Sequence, residues 1–600
     1  MVTFNKELLD DLKEKYFKVR KLLDDPNDNN QEGPDCETKN KAITILKEMK
    51  IKIENILNNS SDQDLNFVGM LAVVWLNIGI ICIDNEELKE AEDNLMQCIE
   101  ILKGRELEPQ CILPSLSALN QLGIIWFQWG EYEKSKAFVE KSERLYTEYK
   151  NLDPVPEPKG MSSIFGIENS EEPTPQHVLE KLHALTLYYI AQVYGICKDH
   201  HKSALYCHMT LQKQLELTDL DYIDWALNAA TLSQFFMEKK HFTQARHHLA
   251  AASHILKLYE NSLVDDPGET ANDEVKAAKW EQFHHRSADV ARCWAKYGIL
   301  LMSMSRDRLI ELSENIDDEK NSTNDSKPGD AEEGNDDDFK RMKFEKLEEN
   351  ITPIAKQITD KYLLDFNDAK KVFLNVQQWL DQAKKYYALE THASDYVHIM
   401  QDMSQAYKYL SFFEDDEDRQ AKMHKRRIDI LEHVIKELNP RYYQSECRQI
   451  WIELGETYSA ILDIKVDKLR ASDDRPAPAT LNKINQLCQS AIKYYQTFLD
   501  SLKESESAPA PKEFPEELVR AALFAYFNSG ALYNRIITLD KNTQIENIKN
   551  SIKAYNFFID YCDSHPETAE LMKNELNVCK DLVNLLPLKL SKLMQSLSKS

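Results

Sequence analysis

Residues Trp451-Ile452-Glu453-Leu454-Gly455-Glu456-Thr457-Tyr458 carry a Trp, a Leu-Gly pair and a Tyr at W-x2-L-G-x2-Y spacing. At helical periodicity Trp451, Leu454 and Tyr458 share a face, and Gly455 leaves a gap beside it through which a second helix can come close. The order recurs at Gln121-Leu122-Gly123-Ile124-Ile125-Trp126, and Gly130-Glu131-Tyr132-Glu133-Lys134-Ser135 then reads as a turn opening a second helix. Weaker copies are Asn77-Ile78-Gly79 with Ala91 and Leu95, Ile190-Ala191 and Tyr194 with Ser203, Leu232-Ser233 and Phe236 with Ala245 and Leu249, and Ser529-Gly530 and Tyr533 with Ser551 and Tyr555. Small residues on both helices of a pair permit a close crossing, while Leu, Tyr and Trp fill the space to the next pair. On this reading Trp126, Trp225, Trp294 and Trp451 are core residues.

A two-helix unit with this opening is the tetratricopeptide repeat (TPR). Gly79, Gly123, Ala191, Ser233 and Gly298 lie 44, 68, 42 and 65 residues apart, longer than the usual period of about 34, so helices or connections are extended. The 68-residue interval holds the proline-rich stretch 151–160, and the 65-residue interval holds Asp265-Asp266-Pro267-Gly268-Glu269; further breaks fall at 315–338 and 471–479. Composition agrees: 15 Gly and 20 Pro in 600 residues are too few turn formers for an all-β or doubly wound fold. The chain therefore reads as all-α, a TPR-like α-solenoid. An N-terminal array spans 1–300, a segment with an acidic loop 301–345, and a C-terminal array 346–600.

Met1-Val2-Thr3-Phe4-Asn5-Lys6 runs into charged residues without an apolar core, and no uninterrupted apolar stretch approaches the ~18 residues of a membrane span. The expectation is a chain neither secreted nor membrane-inserted. Eleven cysteines are scattered without a CxxC and read as reduced core thiols of a cytosolic protein. The net charge of −26 argues against nucleic acid or an anionic membrane as partner and favours a basic protein surface. Part of that charge sits in 314–338, which reads as a disordered loop.

The P-loop, dinucleotide, nucleophile-elbow and H-E-x-x-H signatures are all absent, so no enzyme, cofactor or metal is expected. The pairs His200-His201, His247-His248 and His284-His285 point about 100° apart on a helix, so each reads as surface or turn histidines rather than as metal ligands. The basic run Lys422-Met423-His424-Lys425-Arg426-Arg427 follows Glu414-Asp415-Asp416-Glu417-Asp418 and reads as a solvated helix face with complementary charge.

In a TPR, helix A lines the concave groove. The residue after the small packing residue and the one three before it project into that groove. These positions are Tyr189 and Gln192 in the unit of Ala191, and Thr231 and Gln234 in the unit of Ser233, both pairs offset by 42. A co-chaperone gripping an acidic tail needs a basic clamp, yet Leu76, Ile80, Tyr188, Gln192, Ala230 and Gln234 occupy the corresponding positions. A generic TPR adaptor or co-chaperone scaffold is therefore the second choice.

Four stretches are more specific: Leu227-Asn228-Ala229-Ala230-Thr231-Leu232-Ser233-Gln234-Phe235, Lys422-Met423-His424-Lys425-Arg426-Arg427-Ile428, Tyr494-Tyr495-Gln496-Thr497-Phe498-Leu499-Asp500-Ser501-Leu502 and Asp560-Tyr561-Cys562-Asp563-Ser564-His565-Pro566-Glu567. Through them the chain closely resembles the KIF-binding protein family, kinesin-binding TPR proteins of animals. The resemblance runs from about Glu86-Glu87-Leu88 to Asn584-Leu585-Leu586-Pro587, and the insert 314–338 departs from it. It implies a right-handed α-solenoid of two subdomains joined by a long linker helix, whose N-terminal groove grips kinesin motor domains over their microtubule-binding face. It also implies a cytoplasmic, cytoskeleton-associated protein tied to axon outgrowth and axonal microtubule organisation; a monomer is expected. The family's contact residues carry over to identical types at Tyr189, Gln192, Gln214, Thr231 and Gln234.

Overall fold

The computed structural model describes residues 2–24, 36–59, 64–167, 173–217, 220–265, 273–319, 339, 341–471, 476–505, 509 and 511–598. Most of the acidic insert, residues 266–269 and 472–475, and the Cys36 side chain lie outside them. Among the described residues every regular element is a helix. Two compact units emerge: Met1–Gln244 with Asp330–Glu349, and Ala245–Gly329 with Asn350–Ser600. In this division the first unit's main span ends at Gln244, and a short segment beyond the insert returns to it.

The first unit contains α1 (Val2–Asp24), α2 (Cys36–Asn59), α3 (Leu65–Asp84), α4 (Leu88–Leu102), α5 (Ile112–Gln128), α6 (Tyr132–Lys150), the single turn α7 (Met161–Ile164), α8 (Pro175–Ile196), α9 (His200–Leu217) and α10 (Tyr222–Glu238). Sequential helices pack as hairpins, and α3 also touches α5, and α5 touches α8, as helix A of successive repeats should. Beyond α10 come α11 (Phe242–Asp265) and the 47-residue α12 (Asp273–Glu319). The chain continues with α13 (Glu348–Ala355), α14 (Phe366–Ala383), α15 (Ala393–Phe412), α16 (Glu417–Glu437), α17 (Gln444–Arg470), α18 (Pro478–Asp500), α19 (Glu516–Arg535), α20 (Lys541–Ser564), α21 (Pro566–Leu571) and α22 (Lys573–Ser598).

The small-residue crossings are present. A Cβ on Gly123 would stand 2.5 Å from Val139 Cγ1, and one on Gly455 would stand 2.7 Å from the Tyr495 ring, so no larger residue fits without the helices parting. Hydroxyls on helix B reinforce the contact: Ser135 donates to the Gly123 carbonyl at 2.7 Å, Ser203 to Ala191 at 2.9 Å and Ser551 to Gly530 at 2.7 Å. Gly298 of α12 meets Val376 and Val372 of α14 in the same manner.

Four turns between helix A and helix B share one geometry. Glu86, Gly130, Lys198 and Lys240, each seven residues after a small packing residue, have φ of 63°, 77°, 63° and 64°. The next amide bonds back five residues, Glu87 to Cys82, Glu131 to Trp126, Asp199 to Tyr194 and His241 to Phe236, at 2.8 to 3.0 Å. This is a Schellman ending, in which a left-handed residue lets the last carbonyls find donors. Helix starts are capped by Asp64, Thr174, Asp221, Asp365, Asp416 and Asp540, whose side chains accept from backbone amides.

Several expectations need correction. Helix α3 is long and apolar enough to cross a membrane although Asn66, Asn77 and Asp84 interrupt it; most of it is buried against α2, α4, α5 and α7, as in the core helix of a globular protein. Trp225, Trp294 and Trp451 are buried, but Trp126 is half-exposed, lying edge-on to Trp129 at 4.9 Å beneath Lys134 at 4.0 Å. His247 and His248 are buried rather than superficial, in a stretch of α11 where Ala250, Ala251 and Ala252 are buried as well, so several directions around the helix are closed there. Arg427 belongs to no solvated face: it is 2 % exposed and ion-paired to Glu453 at 3.2 Å, while Lys422, Lys425 and Arg426 do face solvent. The loop 151–160 is tied down, Tyr149 donating to Pro156 O at 2.7 Å and the Lys159 amide to Pro109 O at 2.8 Å, and Phe165 beyond it stacks on Tyr16 at 4.1 Å. Among the described residues ten cysteines are free thiols, seven of them buried.

Candidate functional site

Helix α8 is aimed by its start and by its buried side. Thr174 caps it, Pro175 opens it, and Thr186 sits in a polar knot that fixes its rotation. Thr186 donates to Asn120 at 2.9 Å, Asn120 donates to the Leu182 carbonyl at 3.0 Å, and Ser142 lies 3.2 Å from Thr186. His183 bonds Glu143 at 2.8 Å and stacks on Tyr146, while Tyr194 donates to Glu140 at 2.5 Å. With that side bound to α5 and α6, the remaining arc presents Tyr188, 41 % exposed, Gln192, exposed, and half-buried Tyr189, which meets Tyr188 edge-on at 5.2 Å. Burial, and then Tyr188, raise the Tyr189 phenol above its ordinary pKa, keeping it a neutral donor.

Helix α10 repeats the plan. Asp221 caps it, and Ile223, Trp225, Ala226, Ala229, Ala230, Leu232, Ser233 and Phe236 are buried. Exposed Thr231 donates to Leu227 O at 2.9 Å, which fixes its rotamer, and half-buried Gln234 follows one turn on. Tyr189 and Gln192 are thus one turn apart on α8, and Thr231 and Gln234 one turn apart on α10. Gln214 stands separately on the intervening α9, half-buried.

Beside Gln214, Lys213 enters a charge cluster that the sequence did not disclose. Glu180 of α8 accepts from Tyr146 at 2.8 Å, Lys150 at 3.1 Å and Gln176 at 2.8 Å, and pairs with Lys213. Burial alone would push the Glu180 carboxyl up, but Lys213, Tyr146 and Lys150 hold it down at about 2. Lys213 is raised in turn: burial opposes its charge, and Glu180 outweighs burial. The cluster fastens α6, α8 and α9 to one another, with contacts more than 25 residues apart in sequence and therefore invisible to periodicity.

The second unit holds a separate groove of about 800 Å³ between α15, α17 and α19, with Gln401, Gln405, Lys408, Arg448, Glu456 and Glu517 on its walls. At its base Arg427 bonds Ser404, His424 and Glu453. Burial, and then Arg427 and Lys408, lower His424 to about 4, so it stays neutral. Among the described residues one trio of metal-ligand types gathers, Cys82 with Glu87 and Glu90; burial and those carboxylates push the Cys82 thiol up to about 11, and Lys47 lies 3.5 Å from Glu90.

A family model described as "KIF-1 binding protein C terminal" matches residues 223–593. The KIF-binding protein of Drosophila melanogaster is 35 % identical over 613 residues, covering 99 % of both chains. The chain belongs to the KIF-binding protein family. The KIF-binding protein of Homo sapiens is 36 % identical over 533 residues, covering 87 % of this chain and 84 % of its own, and that of Danio rerio 34 % identical over 98 % of this chain and 93 % of its own. A solved structure of the KIFBP core is 29 % identical, covers 49 % of this chain and 89 % of its own, and has a TM-score of 0.32. The family relationship accordingly covers the helices carrying Tyr189, Gln192, Gln214, Thr231 and Gln234 as well as the C-terminal array.

Proposed function

We propose that this chain binds kinesin motor domains through Tyr189, Gln192, Gln214, Thr231 and Gln234, and thereby controls their attachment to microtubules. The observation that carries the reading is the pairing of an end-to-end KIF-binding relationship with accessible polar side chains at matched positions of α8 and α10. A kinesin must present a basic face to acidic tubulin, and a chain of net charge −26 competes for that face by long-range attraction. The work is done by surface complementarity, without catalysis, by a monomer in the cytoplasm at the cytoskeleton, with residues 1–300 as the motor-binding part. Axonal microtubule organisation and axon outgrowth are the processes such control serves.

The co-chaperone alternative fares worse. Its clamp needs basic groove positions, and here Leu76 and Ala230 are fully buried while Tyr188, Gln192 and Gln234 carry no charge.

Cosedimentation of several kinesin motor domains with microtubules, with and without this protein, tests the reading: the motors should move to the supernatant. Replacing Tyr189, Gln192, Thr231 and Gln234 together by Ala should abolish the effect with the helical content unchanged. Because the Debye length shrinks to about 10 Å at 0.1 M salt, motor affinity should fall steeply as salt rises. Motors that remain on microtubules in every case would reject the proposal, and a salt-independent affinity would reject its electrostatic part.

A further inference from the structure

The segment just after the acidic insert crosses back to the first unit and seats itself in a specific place. Phe339, Met342, Phe344 and Leu347 are buried, with exposed Arg341, Lys343, Glu345 and Lys346 between them, so the segment is a strap with one apolar side. Its two Phe rings each touch both α9 and α10. Phe339 lies 4.6 Å from the His201 ring on α9, and 5.7 Å from both Phe235 and Phe236 on α10. Phe344 lies 4.7 Å from His208 on α9 and 5.1 Å from Trp225 on α10.

Helices α9 and α10 also meet directly, the Trp225 indole donating to the Leu211 carbonyl at 2.9 Å, and the strap adds its two rings to that junction. Where α6 meets α8, their own side chains close the gap, through Ser142 and Thr186 and through Glu143 and His183. Helix A of successive repeats is then in contact, α3 with α5 and α5 with α8, whereas α8 and α10 show no comparable backbone approach among the described residues. The interruption falls between the two helices that carry Tyr189 and Gln192 on one side and Thr231 and Gln234 on the other. Phe235, which Phe339 touches, is the neighbour of Gln234.

We propose that the strap 339–347 is a positioning wedge: its Phe339 and Phe344 rings, held between α9 and α10, set the spacing of the α8 and α10 groove residues and hence their fit to a motor domain. This rests on the groove reading above. An interposed ring is about 3.5 Å thick, and recognition side chains must be held to within about 0.5 Å, so the wedge is thick enough to decide whether both pairs engage at once.

The test uses the full chain carrying spin labels on non-natural residues at exposed Tyr188 of α8 and Asn228 of α10. Phe339→Ala, which leaves the Phe344 anchor in place, should change the label spacing by about 2 Å, a good part of one ring's thickness, and lower motor affinity about tenfold. Phe339→Ala with Phe344→Ala should exaggerate both effects. Phe339→Leu with Phe344→Leu refills the space and should restore both. An unchanged spacing in Phe339→Ala overturns the wedge, and so does a changed spacing with unchanged motor affinity. Normal binding by the four-alanine groove variant would reject the groove itself, an outcome readable apart from the label spacing.

Discussion

Gly123→Ala puts the repeat geometry to a quantitative test. The added methyl carbon would stand 2.5 Å from Val139 Cγ1, whereas carbon pairs rest at about 3.5–4.0 Å. Roughly 1 Å of separation must therefore be created. Val139 is fully buried and β-branched, with one strongly preferred rotamer in a helix, so it cannot swing away. Ser135, one turn before it, is bonded to the Gly123 carbonyl itself and resists parting of the helices. Overpacking of this kind costs about 1–3 kcal/mol, and replacing Gly by Ala in a helix interior returns about 1 kcal/mol. The net expectation is a loss of up to about 2 kcal/mol. Native-state hydrogen exchange of α5 and α6 reads it locally, which suits a chain with two compact units better than one global melting point. In a Val139→Ala background the clash is gone and only the propensity gain remains, so the sign should reverse, a coupling of about 1–3 kcal/mol. Gly195 supplies the contrast: its added methyl would meet only Ser203 Oγ, at 3.3 Å, so Gly195→Ala should be neutral or mildly stabilising. If Gly123→Ala protects α5 and α6 as well as wild type, with no coupling to Val139, the close crossing at Gly123 is refuted.

The shared turn predicts opposite responses at equivalent positions: Gly130→Ala should cost about 1 kcal/mol by forcing a Cβ into the left-handed region, whereas Lys240→Gly relieves that strain and should be neutral or slightly stabilising, both read by thermal shift. Glu180, held at about 2 against an ordinary 4.5, contributes stability that is present above pH 4.5 and lost as pH falls toward 2. Glu180→Gln should therefore destabilise by about 1–2 kcal/mol at pH 7, after allowance for solvent screening, and the difference from wild type in urea titrations should shrink below pH 4.5. Arg427→Met strands the Glu453 carboxylate and should cost about 3 kcal/mol, most of it recovered when Glu453→Gln is added, as denaturant midpoints would show.

The repeat was legible because its constraint is local. Small residues twelve apart, Gly79 with Ala91, Gly123 with Ser135 and Ala191 with Ser203, bracket a turn whose length is fixed, so the hairpin is written into a short window. The turn chemistry was less visible, since Glu86, Lys198 and Lys240 take a left-handed conformation that sequence rules assign to Gly or Asn. The backbone bonds that terminate the helix outweigh the side-chain preference there. His247 and His248 misled for a related reason. Adjacent helix residues face about 100° apart, which rules out a shared ligand face, but it implies exposure only if one of those directions is open, and α11 is enclosed.

The proposed motor-binding residues show where a register stops being informative. The exposed or half-buried faces of Tyr189, Gln192, Thr231 and Gln234 follow from helix A packing on its neighbours, so they could be placed from the repeat alone. Gln214 could not: it sits on helix B, and only family resemblance singles it out. Its surroundings explain why: Lys213 beside it is held by Glu180, 33 residues earlier in the chain. A repeat array conveys its interior through periodicity, but the spacing between repeats is set by whatever is inserted between them. In this chain that insertion comes from the short run Phe339, Met342, Phe344 and Leu347, too brief for a periodic signal and adjoining a charged segment that reads as loop. If the strap sets the groove spacing as proposed, it does so by tertiary contacts alone, and related chains with the same residues at the Tyr189, Gln192, Thr231 and Gln234 positions but a different strap should differ in the motors they accept.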